Sequence, residues 1–241
     1  GLDIFSLFDH NIAYEIRLNK ALEEEMVSPF HYYGVADLTV NGAVVDDVIE
    51  FNYLTVEERV DRIIEKTSLY GCDSGDPRGL VFCSLKEEAN FLSLAFNRKG
   101  FRTVSLTGDS SEADRIEAIN RLESERQNDR LDYIFTVDIF NEGVDIPKVN
   151  QIVMLRPTQS AIVFVQQMGR GLRKHLDKDY LTVIDFIGNY QNNYLVPVAL
   201  YGDNSYNKDV LRKLITSGSR FIPGCSTVNF ERIAKEAILQ S

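Results

Sequence analysis

Apolar and polar positions change their period several times along this 241-residue chain. From Ala13 to Leu18 they alternate strictly, with Tyr14, Ile16 and Leu18 apolar, which predicts a strand. Asn19 is placed to cap a short helix running through about Glu25, and Pro29 stops it. His31–Val40 predicts a second strand, closed by the Asn41-Gly42 turn signal. Thr55 and Glu58 have capping-box spacing, and Val56, Val60, Ile63, Ile64 and Thr67 follow at helical spacing. Gly71 to Gly79, rich in Asp, Ser and Gly, is a loop.

A regular alternation then begins. Gly79–Cys83 is a short apolar strand, and Ser84 with Glu87 forms a capping box for a helix to about Lys99, ended by Gly100. Arg102–Leu106 is a strand. Ser111 opens a helix with Ala113, Ile116, Ile119 and Leu122 facing inward. Leu131–Val137, Gln151–Leu155 and Tyr180–Phe186 are strands, and Ser160–Leu172 is a helix. Strands that are apolar throughout, alternating with helices, predict an α/β fold: a parallel sheet with helices on both faces. Ligands of such sheets bind at loops after strand C-termini, where Ser84 and the stretches around Thr136 and Arg170 are expected. After about Gly188 the pattern breaks into Asn- and Tyr-rich loops. Two more helices are expected near Asn207–Thr216 and Phe230–Leu239.

Composition narrows this picture. With 44% hydrophobic residues the chain can build one or two proper cores. No apolar run approaches the ~18 residues of a membrane span, and the N-terminus lacks the pattern of a signal peptide. Cys72, Cys83 and Cys225 are odd in number and far apart, so neither a disulfide framework nor a zinc site is expected, and a cytoplasmic setting fits. His10, His31 and His175 make no metal spacing. A net charge of −10 argues against an autonomous nucleic-acid binder, but leaves room for a few neutral phosphate contacts beside a more basic partner domain.

The densest candidate chemistry is Gln166-Gln167-Met168-Gly169-Arg170-Gly171-Leu172-Arg173. Two arginines three positions apart on a helix share a face and form a fork for an anion with several oxygens, such as a phosphate chain. Two glycines flanking one arginine suggest close approach by backbone or ligand. A second unusual stretch runs from Thr136 through Gly143-Val144-Asp145 to Pro147. Taken alone, its glycine and aspartate could be an ordinary turn.

Together these stretches resemble motifs V and VI of superfamily 2 helicases, in the group similar to type III restriction enzyme Res subunits and to DEAD and DEAH box helicases. Gln166, Gly169, Arg170 and Arg173 match motif VI, and Gln167 departs from it by replacing an arginine. The resemblance implies that Arg173 is an arginine finger reaching the γ-phosphate of ATP, assisted by Arg170. It implies that Asp145 binds the ATP ribose, with Gly143 allowing close approach. Ser84 resembles motif IV, Thr107-Gly108 the Thr-Gly element that holds a backbone phosphate, and Thr136 the phosphate-touching threonine. Asp185 and Asn189 resemble positions after motif VI, without an assigned role. The phosphate loop Gly-x-x-x-x-Gly-Lys-[Ser/Thr] is absent from the sequence, as is an Asp-Glu box for Mg²⁺.

The expected architecture is therefore a second RecA-like helicase domain of the P-loop NTPase type. Residues 71–190 form that domain, 1–70 a strand-helix extension following the first motor domain, and 191–241 a helical extension. The implied activity is ATP-dependent translocation or unwinding by an intact protein. ATP would be shared with the first RecA-like domain, which would supply the Mg²⁺ ligands. DNA or RNA is the implied partner, with DNA favoured, and no membrane. The alternative is a non-catalytic helicase-like scaffold, since fold alone does not fix function.

Overall fold

The computed structural model describes residues 18–37, 39, 40, 43, 44, 56–137, 139, 146–157, 160–188, 193–201, 208–217 and 222–240. In chain order the elements are α1 (Leu18–Glu23), β1 (Phe30–Ala36), β2 (Thr39–Val40), β3 (Ala43–Val44), α2 (Val56–Tyr70), β4 (Gly79–Phe82), α3 (Lys86–Arg98), β5 (Thr103–Leu106) and α4 (Glu112–Glu123). There follow β6 (Tyr133–Thr136), β7 (Gln151–Met154), α5 (Ala161–Gly169), β8 (Leu181–Ile187), α6 (Leu195–Tyr201), α7 (Lys208–Ser217), β9 (Thr227–Phe230) and α8 (Arg232–Gln240).

Seven strands form one sheet in the order β5-β6-β4-β7-β8-β1-β9. Every pairing within it is parallel. Every residue of β4, β6, β7 and β8 is buried. This is why those strands are apolar runs rather than alternating ones: both faces are covered. On one face α1, α4, α5 and α6 pack Leu22, Leu122, Phe164, Met168 and Leu200 against Tyr32, Ile134, Ile152 and Val183. On the other, α2 and α3 pack Ile63, Leu92 and Phe96 against Val35, Val81, Phe135, Val153 and Ile184. A third cluster of Ile187, Ile215, Ala234, Ala237 and Ile238 joins α7 and α8 to the end of β8. The fold is RecA-like α/β.

Several local expectations are corrected. Leu18 opens α1 rather than closing a strand, and Asn19 lies inside that helix, where its Nδ2 donates to the Tyr201 carbonyl at 3.0 Å instead of capping; residues 13–17 lie outside the described residues. The strand from His31 stops at Ala36, and a separate antiparallel pair, β2 with β3, flanks Asn41-Gly42, which together with Thr55 lies outside the described residues. Ser84 makes no capping box with Glu87. The N-cap is Leu85, and the carboxylate of buried Glu88 accepts the Ser84 backbone N–H at 2.9 Å. On α4 the capping box closes on Ser111 and Asp114 as spaced. Its inward face is Ala118, Ile119 and Leu122, while Ala113 and Ile116 face solvent.

The segments flanking the alternating core also enter the sheet. β1 precedes that core by sequence and lies between β8 and β9, and β9 adds a strand to a C-terminal region expected to be helical. α6, also unforeseen, carries Pro197 in its first turn, where a missing N–H costs nothing.

Candidate nucleotide and nucleic-acid sites

The sheet register gathers four of the predicted residues at one end of the sheet. Phe82 and Leu106 both stand opposite Thr136, so β4, β6 and β5 end at one level. The next residues are Cys83-Ser84 on one side and Thr107-Gly108 on the other. Ser84 and Gly108 are exposed. Thr107 is mostly buried, with its Oγ1 accepting the Asp109 N–H at 3.4 Å and its N–H donated to Ser110 Oγ at 3.0 Å, in a tight turn. Lys86 Nζ reaches Asp109 at 2.6 Å, an exposed pair that ties the start of α3 to this turn. Neither Lys86 nor Asp109 carried a sequence signal.

Two features alter the expected chemistry at this end. The Ser84 and Leu85 N–H groups are both taken by Glu88, so the Ser84 hydroxyl is what remains here for a phosphate. Burial pushes the Glu88 carboxyl up from its usual range, against the pull of Arg59, whose guanidinium lies 3.2 Å away. Thr136 is fully buried, and its Oγ1 has no hydrogen-bond partner. Its hydroxyl faces the interior, not the rim on which Ser84 stands.

The arginines lie at the opposite end. α5 stops at Gly169, and the chain then turns through bonds from Arg170 N to Gln167 O (3.3 Å), Gly171 N to Met168 O (2.9 Å) and Leu172 N to Met168 O (3.1 Å). Arg170 and Arg173 therefore do not share a helical face: both follow the helix, Arg170 half-buried and Arg173 exposed. Helical periodicity extended the prediction to Leu172 because Leu172 is buried, but it is buried from the turn. Gln166 is exposed beside the turn, and Gln167 faces the interior. The turn is placed at the starts of the strands, not after their C-termini as expected. Gly171 packs against Leu181, which opens β8, and Ile152, the second residue of β7, and Ser28, just before β1, bonds to the Leu172 carbonyl. Gly143, Asp145 and Asn189 lie outside the described residues.

The two glycines of this turn are not equivalent. A Cβ on Gly171 would sit 2.5 Å from Leu181 Cδ1 and 3.2 Å from Ile152 Cδ1, whereas one on Gly169 meets nothing within 4 Å. Gly171→Ala is expected to destabilise the protein by about 1–3 kcal/mol through overpacking, and Gly169→Ala, at a helical residue, to be neutral or stabilising by up to about 1 kcal/mol. Urea unfolding of both variants checks this. Equal effects would show that close approach is not what Gly171 serves.

Residues 58–175, from within α2 to just past Arg173, match the helicase conserved C-terminal domain. Through this stretch the chain belongs to the helicase C-terminal domain family. As a helicase C-terminal domain it is 30% identical over 149 residues to the Saccharomyces cerevisiae protein named "Putative ATP-dependent helicase IRC3", covering 62% of this chain and 19% of that protein. It is 27% identical over 202 residues to the type I restriction enzyme EcoKI endonuclease subunit of Escherichia coli, covering 76% of this chain and 16% of that subunit. The helicase domain thus spans less than a fifth of either relative. Its fold is shared with the ATP-dependent type ISP restriction-modification enzyme LlaBIII, in a structure bound to DNA, at TM-score 0.59 and 17% identity over 94% of this chain and 18% of that one. Among the described residues no helix is long and apolar enough to cross a membrane.

Proposed function

We propose that this helicase C-terminal domain is the second motor domain of an ATP-dependent nucleic-acid translocase or helicase, and that its two candidate sites serve different partners. The observation that carries the reading is their separation. An exposed arginine stands on a turn at the start of the strands, and a rim of Ser84, Thr107 and Gly108 stands at their other end, both fixed to one sheet. Arg173 and Arg170 suit a polyphosphate, because a guanidinium presents several donors to phosphate oxygens and keeps its charge. Gln166 lies next to them. Gly143 and Asp145 would contact the nucleotide sugar and backbone by their motif positions. Bound ATP supplies the energy of its γ-phosphoryl group, and a first RecA-like domain of the same protein would contribute the Mg²⁺ ligands.

The rim suits a nucleic-acid backbone because hydroxyl groups such as that of exposed Ser84 contact phosphates without adding positive charge. That accords with a chain of net charge −10. Thr136 would act from beneath by holding the strand ends level. DNA is the favoured polymer in this reading, in keeping with the 27% identity to a type I restriction enzyme subunit.

Steady-state phosphate release tests the reading. The intact protein is expected to hydrolyse ATP faster when single-stranded or duplex DNA is added, with RNA the weaker activator. This chain alone is expected to release none, since its sequence has no phosphate loop. Turnover by the purified chain alone would sink the half-motor reading. An intact protein with no ATPase under any nucleic acid would leave the scaffold alternative in its place.

A further inference from the structure

Three successive carbonyls of the arginine turn are held by two buried residues that no motif marks. The Gly171 carbonyl accepts from Lys178 Nζ at 2.9 Å. The Leu172 carbonyl accepts from the Ser28 backbone N–H at 2.8 Å. The Arg173 carbonyl accepts from Ser28 Oγ at 3.2 Å. Ser28 is 2% exposed and Lys178 is 7% exposed. Neither is on the turn itself. Ser28 comes from the segment between α1 and β1. Lys178 follows the turn and is closed back onto it by a bridge with His175.

Lys178 also reaches the Pro147 carbonyl at 2.6 Å and the Val149 carbonyl at 3.0 Å. Pro147 ends the Thr136–Pro147 stretch, and Val149 follows it just before β7. A single ammonium thus binds the end of one candidate nucleotide segment to the end of the other. An ammonium has three N–H donors and no acceptor, and here each donor has a carbonyl. Such charge-assisted bonds are stronger than neutral ones, and a buried ammonium left without them would be costly.

We propose that Ser28 and Lys178 are positioning residues that fix the backbone under Arg173, so that an exposed side chain is presented from a rigid base. The proposal rests on the arginine-finger reading of Arg173. It adds that the finger's placement is set from two directions: by the segment before β1 through Ser28, and by the Pro147–Val149 segment through Lys178. A 1 Å misplacement of a catalytic group costs about 100-fold in rate, which is why clamping the backbone matters although neither residue need touch the nucleotide.

The test is a set of double-mutant cycles in the intact protein, reading kcat and KM for ATP at saturating DNA. Lys178→Met keeps the length of the side chain and removes the ammonium, and Ser28→Ala removes the hydroxyl and keeps the backbone N–H. Lys178→Met is expected to lower kcat about 10- to 100-fold and Ser28→Ala by a smaller factor, with KM little changed. In an Arg173→Ala background neither should lower kcat further, because a residue acting through Arg173 has nothing left to position. If both variants fold and keep the parent kcat, or lower kcat by the same factor with and without Arg173, the clamp is not catalytic and the proposal fails. Should Lys178→Met not fold, Ser28→Ala decides alone by the same criterion. Loss of kcat on Arg173→Ala without any effect of the clamp variants overturns this inference only. An unchanged kcat on Arg173→Ala overturns the finger reading and this inference with it.

Discussion

Arg173→Ala in the intact protein is expected to lower the turnover number by on the order of 10³–10⁵ while leaving KM for ATP far less changed. The side chain is exposed on a turn whose backbone is tied down at three carbonyls, so truncating it removes a guanidinium and disturbs little packing. An arginine finger acts on charge that develops in the transition state, so its loss falls on kcat. Arg173→Lys should recover little, since an ammonium cannot reproduce the planar fork. Phosphate release over an ATP series, with circular dichroism to confirm folding, measures both. A folded Arg173→Ala protein with parental turnover would make the arginine structural.

The second large effect concerns stability and pH. Asp185 lies on β8 in the core, 3% exposed, and its Oδ2 accepts the Tyr32 hydroxyl at 2.7 Å. Burial raises its carboxyl from 3.8 to about 7; the Tyr32 bond pulls it down and the nearby Asp37 pushes it up. The folded chain therefore holds a proton at a pH where the unfolded chain has released it. Stability from this group is full below about pH 4, falls as pH rises from 4 towards 7, and is lost above 7. At pH 8 the buried charge costs about 4 kcal/mol. Asp185→Asn should flatten this fall and raise stability at pH 8 by ~1–3 kcal/mol. The gain falls short of the full cost because the new amide brings N–H donors that the carboxylate did not have, and a buried donor left unpaired costs about 1–3 kcal/mol. Denaturant midpoints of both proteins at pH 5 and pH 8 check it. A variant that loses stability at pH 8 would show that the carboxylate is stabilised there.

What could be read from the sequence follows burial. β4, β6, β7 and β8 are continuous apolar runs because both faces of a parallel sheet are covered, so their positions stood out. β9, in which Thr227 and Asn229 alternate with Val228 and Phe230, is a short edge strand that takes its identity from β1, nearly two hundred residues away, and nothing local announces such a partner. The end of α5 was missed because Leu172 keeps helical spacing from a turn. Ser84 stood at the right end of the right strand, yet its capping partner was Glu88, a choice fixed by which carboxylate the sheet buries. Gln166, Gly169, Arg170 and Arg173 stood out in the sequence as a group, but Ser28 and Lys178 did not. Their partners are carbonyl oxygens, which every residue has and no sequence pattern encodes.

The place of β1 bears on how the chain is made. Phe30 pairs with Leu181, which lies 151 positions further along. At translation speeds of 5–20 residues per second, β1 would emerge roughly 8–30 s before its partner strand. During that interval Phe30, Tyr32 and Val35 have no sheet to join, and the strands from β4 to β7 can assemble without them. β1 would thus be inserted late, between β8 and β9, and the nascent chain carries an unpaired apolar strand while the residues between Phe30 and Leu181 are made. A chaperone that shields short hydrophobic segments at the ribosome would have its natural client in Phe30–Ala36.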